Sequence, residues 1–245
     1  MTQLTETAVL LVAGVGSRLR PLTDSIPKAL VSVGESSILE RAVNALKMAG
    51  IRHFVFATGY RQAAVVEWAR QQKLDAVFCP NERYESTQNS ISLLRCESAL
   101  RGKSFFKLDG DVLFEFAILE RLIGSSEDLA VAVDGKRSLD EEAMKVRVDA
   151  SGRIRQFGKA IAVRDAQGES IGIERLSAQA GAQVFDAIAR LEGDGICDKY
   201  YEDVYATLIK EGKISAQSIE VGDLRWTEVD SPEDLAHAKA LFSPS

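Results

Sequence analysis

The residues able to do chemistry in this 245-residue chain begin at Ala13, directly after the apolar run AVLLV. Gly14, Val15, Gly16 and Ser17 form a glycine-rich stretch, Arg18 follows at once, and Lys28 arrives only after a Pro-bounded loop. A loop leaving a buried strand exposes backbone N–H groups, and glycine lets the chain approach an anion closely. Arg18 offers a planar fork and Lys28 a point charge, so the two can meet a polyphosphate from different sides. Neither familiar cradle fits. GVGSRL lacks the third glycine of GxGxxG, Pro21 interrupts any helix, and GxxxxGK[ST] is absent. The indicated chemistry is the binding of a nucleoside triphosphate; a glycine turn with no ligand is the alternative.

Carboxylates supply the opposite charge. Asp109-Gly110-Asp111 follows the apolar segment SFFKL, which places its acids at the end of a strand. Hard oxygen ligands of this kind suit Mg2+, which binds few carboxylates and keeps waters for substrate phosphates; an Asp-Gly turn is the alternative. Glu228 and Asp230 alternate in WTEVD and so share one face of an extended segment. Asp230 could instead open the cap of a last helix. Gln88, Asn89 and Ser90 stand at an expected helix start, where amides and hydroxyls either read a base edge or simply cap. Tyr84, Tyr200, Tyr201, Glu202 and Asp203 offer aromatic faces and acids suited to an amine or quaternary ammonium, or else to packing. Glu174 is a further acid of unassigned direction. With only His53 and His237, histidine catalysis has little material.

These groups need a frame. Ala8–Val12 reads as a strand buried on both faces. Ser37 and Glu40 open a helix whose apolar residues recur at helical spacing up to Gly50. His53–Thr58 is a strand, Gln62–Gln72 a helix and Ala76–Cys79 a short strand. Asn89–Leu100 is expected to be helical, Ser104–Leu108 a strand, Glu115–Ile123 a helix and Leu129–Val133 a strand. This alternation predicts an α/β fold with a Rossmann-like, mostly parallel sheet sandwiched by helices. Lys145–Asp149 and Arg153–Phe157 then alternate around DASG and predict a β-hairpin inserted beside the sheet edge or over its ligand face. Helices at Ala178–Leu191 and Tyr201–Glu211, a strand near Ser215–Val221 and a closing helix Glu233–Phe242 complete a single domain over residues 1–245.

Net charge of −6 and a pI near 5.2 argue against nucleic acid or an anionic membrane as partner. The three cysteines are widely spaced and without CxxC, against a disulfide framework or a zinc site. The N-terminal apolar stretch is too short for a signal or a span and lacks a basic flank, so a cytoplasmic location is expected. No helix shows a sustained apolar seam, and the sequence does not set the oligomeric state.

LVAGVGSRLRPLTDSIPKALVSVG resembles the signature loop of the sugar-phosphate nucleotidyltransferases, with Val12 where that family commonly has alanine. The resemblance continues through TGYR (58–61), NERYESTQNSISL (81–93), LDGDVLF (108–114), EEAMKVRVD (141–149), GESIGIERLS (168–177), YYEDV (200–204) and WTEVDSPEDL (226–235). The downstream set is most similar to bacterial phosphocholine cytidylyltransferases and their relatives. The resemblance implies transfer of a nucleotidyl group from CTP to a small phosphorylated acceptor with Mg2+. It implies Asp111 and then Asp230, ahead of Glu228, as metal ligands. Lys28 would span the triphosphate, Lys159 would reach the acceptor phosphate, and Asn89 would lie at the base with the backbone of Ala13 and Gly14. Gln88 replaces an asparagine of the family pattern. Other readings stay open: a sugar-1-phosphate uridylyl-, thymidylyl- or guanylyltransferase, an NAD(P) reductase disfavoured by the broken GxGxxG, or a nucleotide-binding regulator without turnover. The acceptor itself is not legible.

Overall fold

The glycine loop and the acids are set at the ends of strands, so the sheet decides the site. In the computed structural model, which describes residues 5–242, β1 (Thr7–Leu11) leads into the loop. A small pair, β2 (Ser32–Val33) and β3 (Ser36–Ser37), then precedes helix α1 (Ile38–Met48). There follow β4 (His53–Thr58), α2 (Gln62–Gln71), β5 (Asp75–Pro80), α3 (Asn89–Leu94), α4 (Glu97–Leu100), β6 (Phe105–Asp109) and β7 (Val112–Phe114). The remaining elements are α5 (Ala117–Ile123), β8 (Leu129–Asp134), β9 (Lys145–Val148), β10 (Ile154–Phe157), β11 (Gly168–Leu176), α6 (Ala178–Gly193), α7 (Tyr201–Lys210), β12 (Ala216–Glu220), β13 (Trp226–Glu228) and α8 (Pro232–Phe242).

Nine strands form the main sheet in the order β10-β9-β11-β6-β1-β4-β5, with β8 pairing β11 and β12. β1 runs parallel to β4 and β6, and β4 parallel to β5, as the strand–helix alternation predicts. Apolar residues point to both faces of β1: Val9 joins one buried cluster while Ala8 and Leu10 join the other. Removing a side chain such as Leu10 would cost about 2–5 kcal/mol through lost burial and the cavity left behind.

Two features depart from the expected pattern. The helix expected over residues 89–100 breaks, because Cys96 N–H bonds Leu93 O in a tighter turn and its Sγ donates to Ser92 O. Strand β11 was not anticipated from GESIGIERLS, although it is the antiparallel strand joining β6 to β8 and β9. Its alternation is hidden because Glu174 and Arg175 are both buried. The 145–157 hairpin forms as expected and extends the sheet edge. Among the described residues no helix is long and apolar enough to cross a membrane.

Glu174 stands in register with Lys107 across the β11–β6 pair. Lys107 has no solvent exposure; its Nζ lies 2.8 Å from Glu174 Oε2 and donates to Asp109 Oδ1 at 3.1 Å and Gly172 O at 3.3 Å. The Tyr201 ring packs over it with 3.6 Å from Nζ to centroid, and Tyr201 Oη donates to Asp109 Oδ2 at 2.7 Å. One cation therefore faces three acids, the buried Glu174 and Glu202 and the partly exposed Asp109. Burial pushes Glu174 up to about 7 and Glu202 to about 8, although Lys107 pulls both the other way.

The sign of the stability effect follows. Carboxyls that titrate near 4.5 in the unfolded chain hold their protons to higher pH in the folded protein, so folding takes up protons between those values. Stability is therefore fully present at about pH 4.5 with respect to these groups and declines as pH rises through 7 and 8. Urea midpoints measured from pH 5 to 9 should fall, and Glu202→Gln should flatten the fall.

Candidate active site

The glycine loop leaves β1 where Val12 N–H bonds Ala57 O. Gly16 adopts φ +65°, and a Cβ there would stand 2.8 Å from Lys28 Cβ, so only glycine allows the lysine stem to pack beneath the loop. Three short turns, Ser17–Leu19, Leu22–Asp24 and Lys28–Leu30, carry the chain onward, with Leu19 wholly buried as an anchor. No long helix follows the glycines, as Pro21 requires.

The aspartates are brought together by a second small sheet. β13 pairs antiparallel with β7, with Glu228 opposite Val112, and Val229 N–H continues the ladder to Asp111 O at 3.0 Å. Val229 is buried between its neighbours, leaving Glu228 and Asp230 on one open side. Asp230 does not cap α8. Ser231 Oγ accepts the Asp234 N–H while Asp234 Oδ2 accepts the N–H of Ser231 and of Asp230. The Asp230 carboxylate is thus free for the site.

Lys28 Nζ donates to Asp111 Oδ2 at 2.5 Å and to Asp230 Oδ1 at 2.7 Å, and Arg18 Nη2 lies 3.0 Å from Asp230 Oδ2. Burial opposes the charge on Lys28, but the two carboxylates outweigh it and raise its proton affinity well above the ordinary lysine value. Burial likewise raises Asp230, and Lys28 with Arg18 overcomes it, holding the carboxyl below its usual range. Glu228 has no such cation. Burial and the charges of Asp111, Asp230 and Glu169 push it up to about 8.

Three cavities adjoin along this line. One of about 240 Å³ is lined by Gly14, Gly16, Ser17, Arg18, Lys28, Asp111 and Asp230. A second, of about 300 Å³, shares Gly14, Gly110 and Asp111 with it and adds Ala13, Tyr84, Gln88 and Asn89. A third, of about 320 Å³, shares Arg18 and Asp230 with the first and adds Arg137, Glu142, Lys159, Glu169 and Glu228. Lys159 Nζ donates to Glu142 Oε2 at 3.1 Å and lies 5.2 Å from the Tyr200 ring centroid. Glu142 raises its proton affinity against the burial that lowers it.

Several expected site residues lie elsewhere. Ser90 turns inward, donating to Lys199 O at 2.6 Å, and so ties α3 to the segment before α7. Asn89 Oδ1 accepts the Tyr201 N–H at 3.0 Å, while its side chain still borders the second cavity. Tyr84, expected beside the acceptor, borders that same second cavity at the other end of the site. Tyr201 and Glu202, expected at the acceptor, do not border the third cavity: both are buried, with the Tyr201 hydroxyl held by Asp109. Val15 is half-buried in the loop. Sequence reasoning missed Arg137, Glu142 and Glu169. The two acids lay inside segments quoted for their resemblance; Arg137, stacked 4.8 Å over Trp226, carried no signal.

The carboxylates Asp111, Asp230 and Glu228 border adjoining cavities and are of the hard-oxygen kind that suits Mg2+. Among the described residues no group of three or more His, Cys, Asp or Glu closes on a common metal position.

Residues 7–158 match the nucleotidyl transferase family, and the chain belongs to it. It is a nucleotidyltransferase with the α/β fold shared by nucleotide-diphospho-sugar transferases. Over 96% of its length it is 29% identical to the bifunctional IPC transferase and DIPP synthase of Aquifex aeolicus, of which it spans about half (51%). Over 93% of its length it is 28% identical to the CTP:phosphoglutamine cytidylyltransferase of Campylobacter jejuni, covering 97% of that protein. The inositol-1-phosphate CTP transferase of T. maritima superposes with a TM-score of 0.82 at 23% identity, covering 99% of this chain and 97% of the other.

Gly16→Ala tests the loop geometry. A left-handed alanine costs about 1–2 kcal/mol, and its methyl group would displace Lys28. Turnover should fall about 10-fold or more with a modest loss in thermal midpoint, both read on the same preparation.

Proposed function

We propose that this enzyme transfers a cytidylyl group from CTP to the phosphate of a small acceptor and releases pyrophosphate. The observation that carries the reading is the Lys28-bridged pair Asp111 and Asp230, seated where the loop cavity meets its two neighbours. On this reading the nucleoside lies against Ala13, Gly14, Gln88 and Asn89, and the triphosphate lies under the glycine loop. The acceptor enters beside Lys159 and Arg137. CTP is favoured because the Campylobacter relative is named for CTP.

An acceptor phosphate oxygen forms the new bond to the α-phosphorus, and the bond from that phosphorus to the pyrophosphate oxygen breaks. The phosphate is already ionised near neutral pH, so no strong base is required, which agrees with the scarcity of histidine. Both reactants are anions, and positioning with charge neutralisation is the main task. Lys28 and Arg18 supply cations at the triphosphate, and Lys159 with Arg137 supplies them at the acceptor. Asp111 and Asp230, with Glu228 beside them, would hold Mg2+, which when bound neutralises charge on the phosphates. The acids Glu142, Glu169 and Glu228 in the third cavity favour an acceptor that carries an amine or hydroxyls beyond its phosphate.

The test is a matrix of four nucleoside triphosphates against phosphocholine, amine-bearing phosphates or phosphonates, and sugar 1-phosphates, scored by pyrophosphate release. CTP with a non-sugar acceptor should lead. Faster release with UTP, dTTP or GTP and a sugar 1-phosphate would instead establish an NDP-sugar synthase. Asp111→Ala and Asp230→Ala should each lower kcat about 100-fold or more at saturating Mg2+. Lys159→Ala should raise the acceptor KM about 10-fold and leave the CTP KM within about twofold.

A further inference from the structure

The segment Thr58–Arg61, TGYR, borders none of the three cavities, yet it grips the loop that lines them. Tyr60 N–H donates to Ala13 O at 3.0 Å, at the point where the loop begins. Its hydroxyl reaches the far side of the same loop, donating to Thr23 O at 2.8 Å with Asp24 O 3.1 Å away as a second acceptor. Arg61 adds a bond from Nη2 to Asp24 O at 2.7 Å. The turn so held passes the restraint inward: Thr23, fully buried, donates from Oγ1 to Gly16 O at 2.8 Å. Gly16 O also accepts Leu19 N–H at 3.0 Å, fixing the short turn that carries Arg18.

We infer that Tyr60 is a positioning residue that fastens the glycine loop at both ends, holding Gly14–Ser17 and Arg18 in the shape that receives a phosphate-bearing ligand. This rests on the reading of that loop as the triphosphate site. The connection is serial, from the Tyr60 hydroxyl to the 22–24 turn, then through the Thr23 hydroxyl to Gly16. The loop's own backbone bonds close only short turns, such as Leu19 N–H to Gly16 O and Asp24 N–H to Pro21 O, and the Tyr60 bonds tie those turns to the sheet. Tyr60 can do so because it sits just beyond β4, the strand beside β1, and the two strands set the spacing between Tyr60 and the loop's start.

Tyr60→Phe removes the hydroxyl and keeps both the ring and the backbone bond to Ala13. Hydrogen exchange on the ligand-free protein reads the loop directly, through a peptide spanning residues 14–24 whose amides at Leu19, Arg20 and Asp24 are hydrogen-bonded. That peptide should exchange about 5- to 20-fold faster in Tyr60→Phe, with β1 and β4 unchanged. The CTP KM should rise by a similar factor, with the acceptor KM and the thermal midpoint steady. Thr23→Val should act alike, and the double variant should be little worse than either, because the two links lie in series. Unchanged loop exchange in Tyr60→Phe, or an acceptor KM that rises as much as that for CTP, would overturn the assignment. If wild-type protein turns over no nucleoside triphosphate, the proposed function fails, while exchange in the ligand-free protein still decides the role of Tyr60.

Discussion

The site depends on one lysine held between two carboxylates. Lys28, Asp111 and Asp230 come from three distant parts of the chain, and each is largely enclosed, with side-chain exposures of 15%, 27% and 28%. Like-charged acids this close would repel one another, so the cation is what lets them share a site. Withdrawing the lysine would leave the acids unbalanced in a poorly solvated place, a costlier change than breaking an exposed pair. The rest of the fold can be understood as the means of delivering these three groups. β1 brings the loop, β6 ends in Asp109-Gly110-Asp111, and the β7–β13 ladder lays Asp230 beside Asp111. Gly110 makes the join possible, because a Cβ there would meet Leu11 O at 2.6 Å.

Beside this pair lies a second polar group centred on the buried Lys107. Its ammonium holds Asp109, which, like Asp111 two residues on, also borders the second cavity. The same strand end therefore carries one acid tied to Lys107 and one tied to Lys28. Tyr201 belongs to the Lys107 set. Its ring covers Lys107 and its hydroxyl serves Asp109, which explains why an aromatic residue in a promising segment is absent from the third cavity.

The third cavity differs in character from the loop cavity. Cations and acids alternate around it, with Arg137 and Lys159 facing Glu142, Glu169 and Glu228. Such a lining favours a ligand with charge or hydrogen-bonding groups at more than one end over an apolar one. The second cavity has fewer charged groups, with Asp109 and Asp111 beside Ala13, the ring of Tyr84 and the amides of Gln88 and Asn89.

Much of this was legible in the sequence because local physics writes it there. Buried strands appear as apolar runs, helix starts as capping residues, and the glycine loop as an unusual crowding of glycine and cations. Those signals located β1, β4, β6, the hairpin and the residues Arg18 and Lys28, while the family resemblance singled out Asp111 and Asp230. β11 escaped because its buried charges break the apolar pattern, and they are tolerated only by partners such as Lys107 on a strand more than sixty residues away. The inward turn of Ser90 depends likewise on a distant carbonyl, that of Lys199. The sequence by itself determined which chemical groups exist and which short elements carry them, since periodicity, capping and turn preference act over a few residues. Only the tertiary structure decided that Asp230 lies beside Asp111, that Tyr84 borders the second cavity, that Tyr201 and Glu202 are sealed inside, and that Tyr60 grips the loop. Direction and partnership are set by strand pairing and burial across long separations, and those constraints leave no local trace.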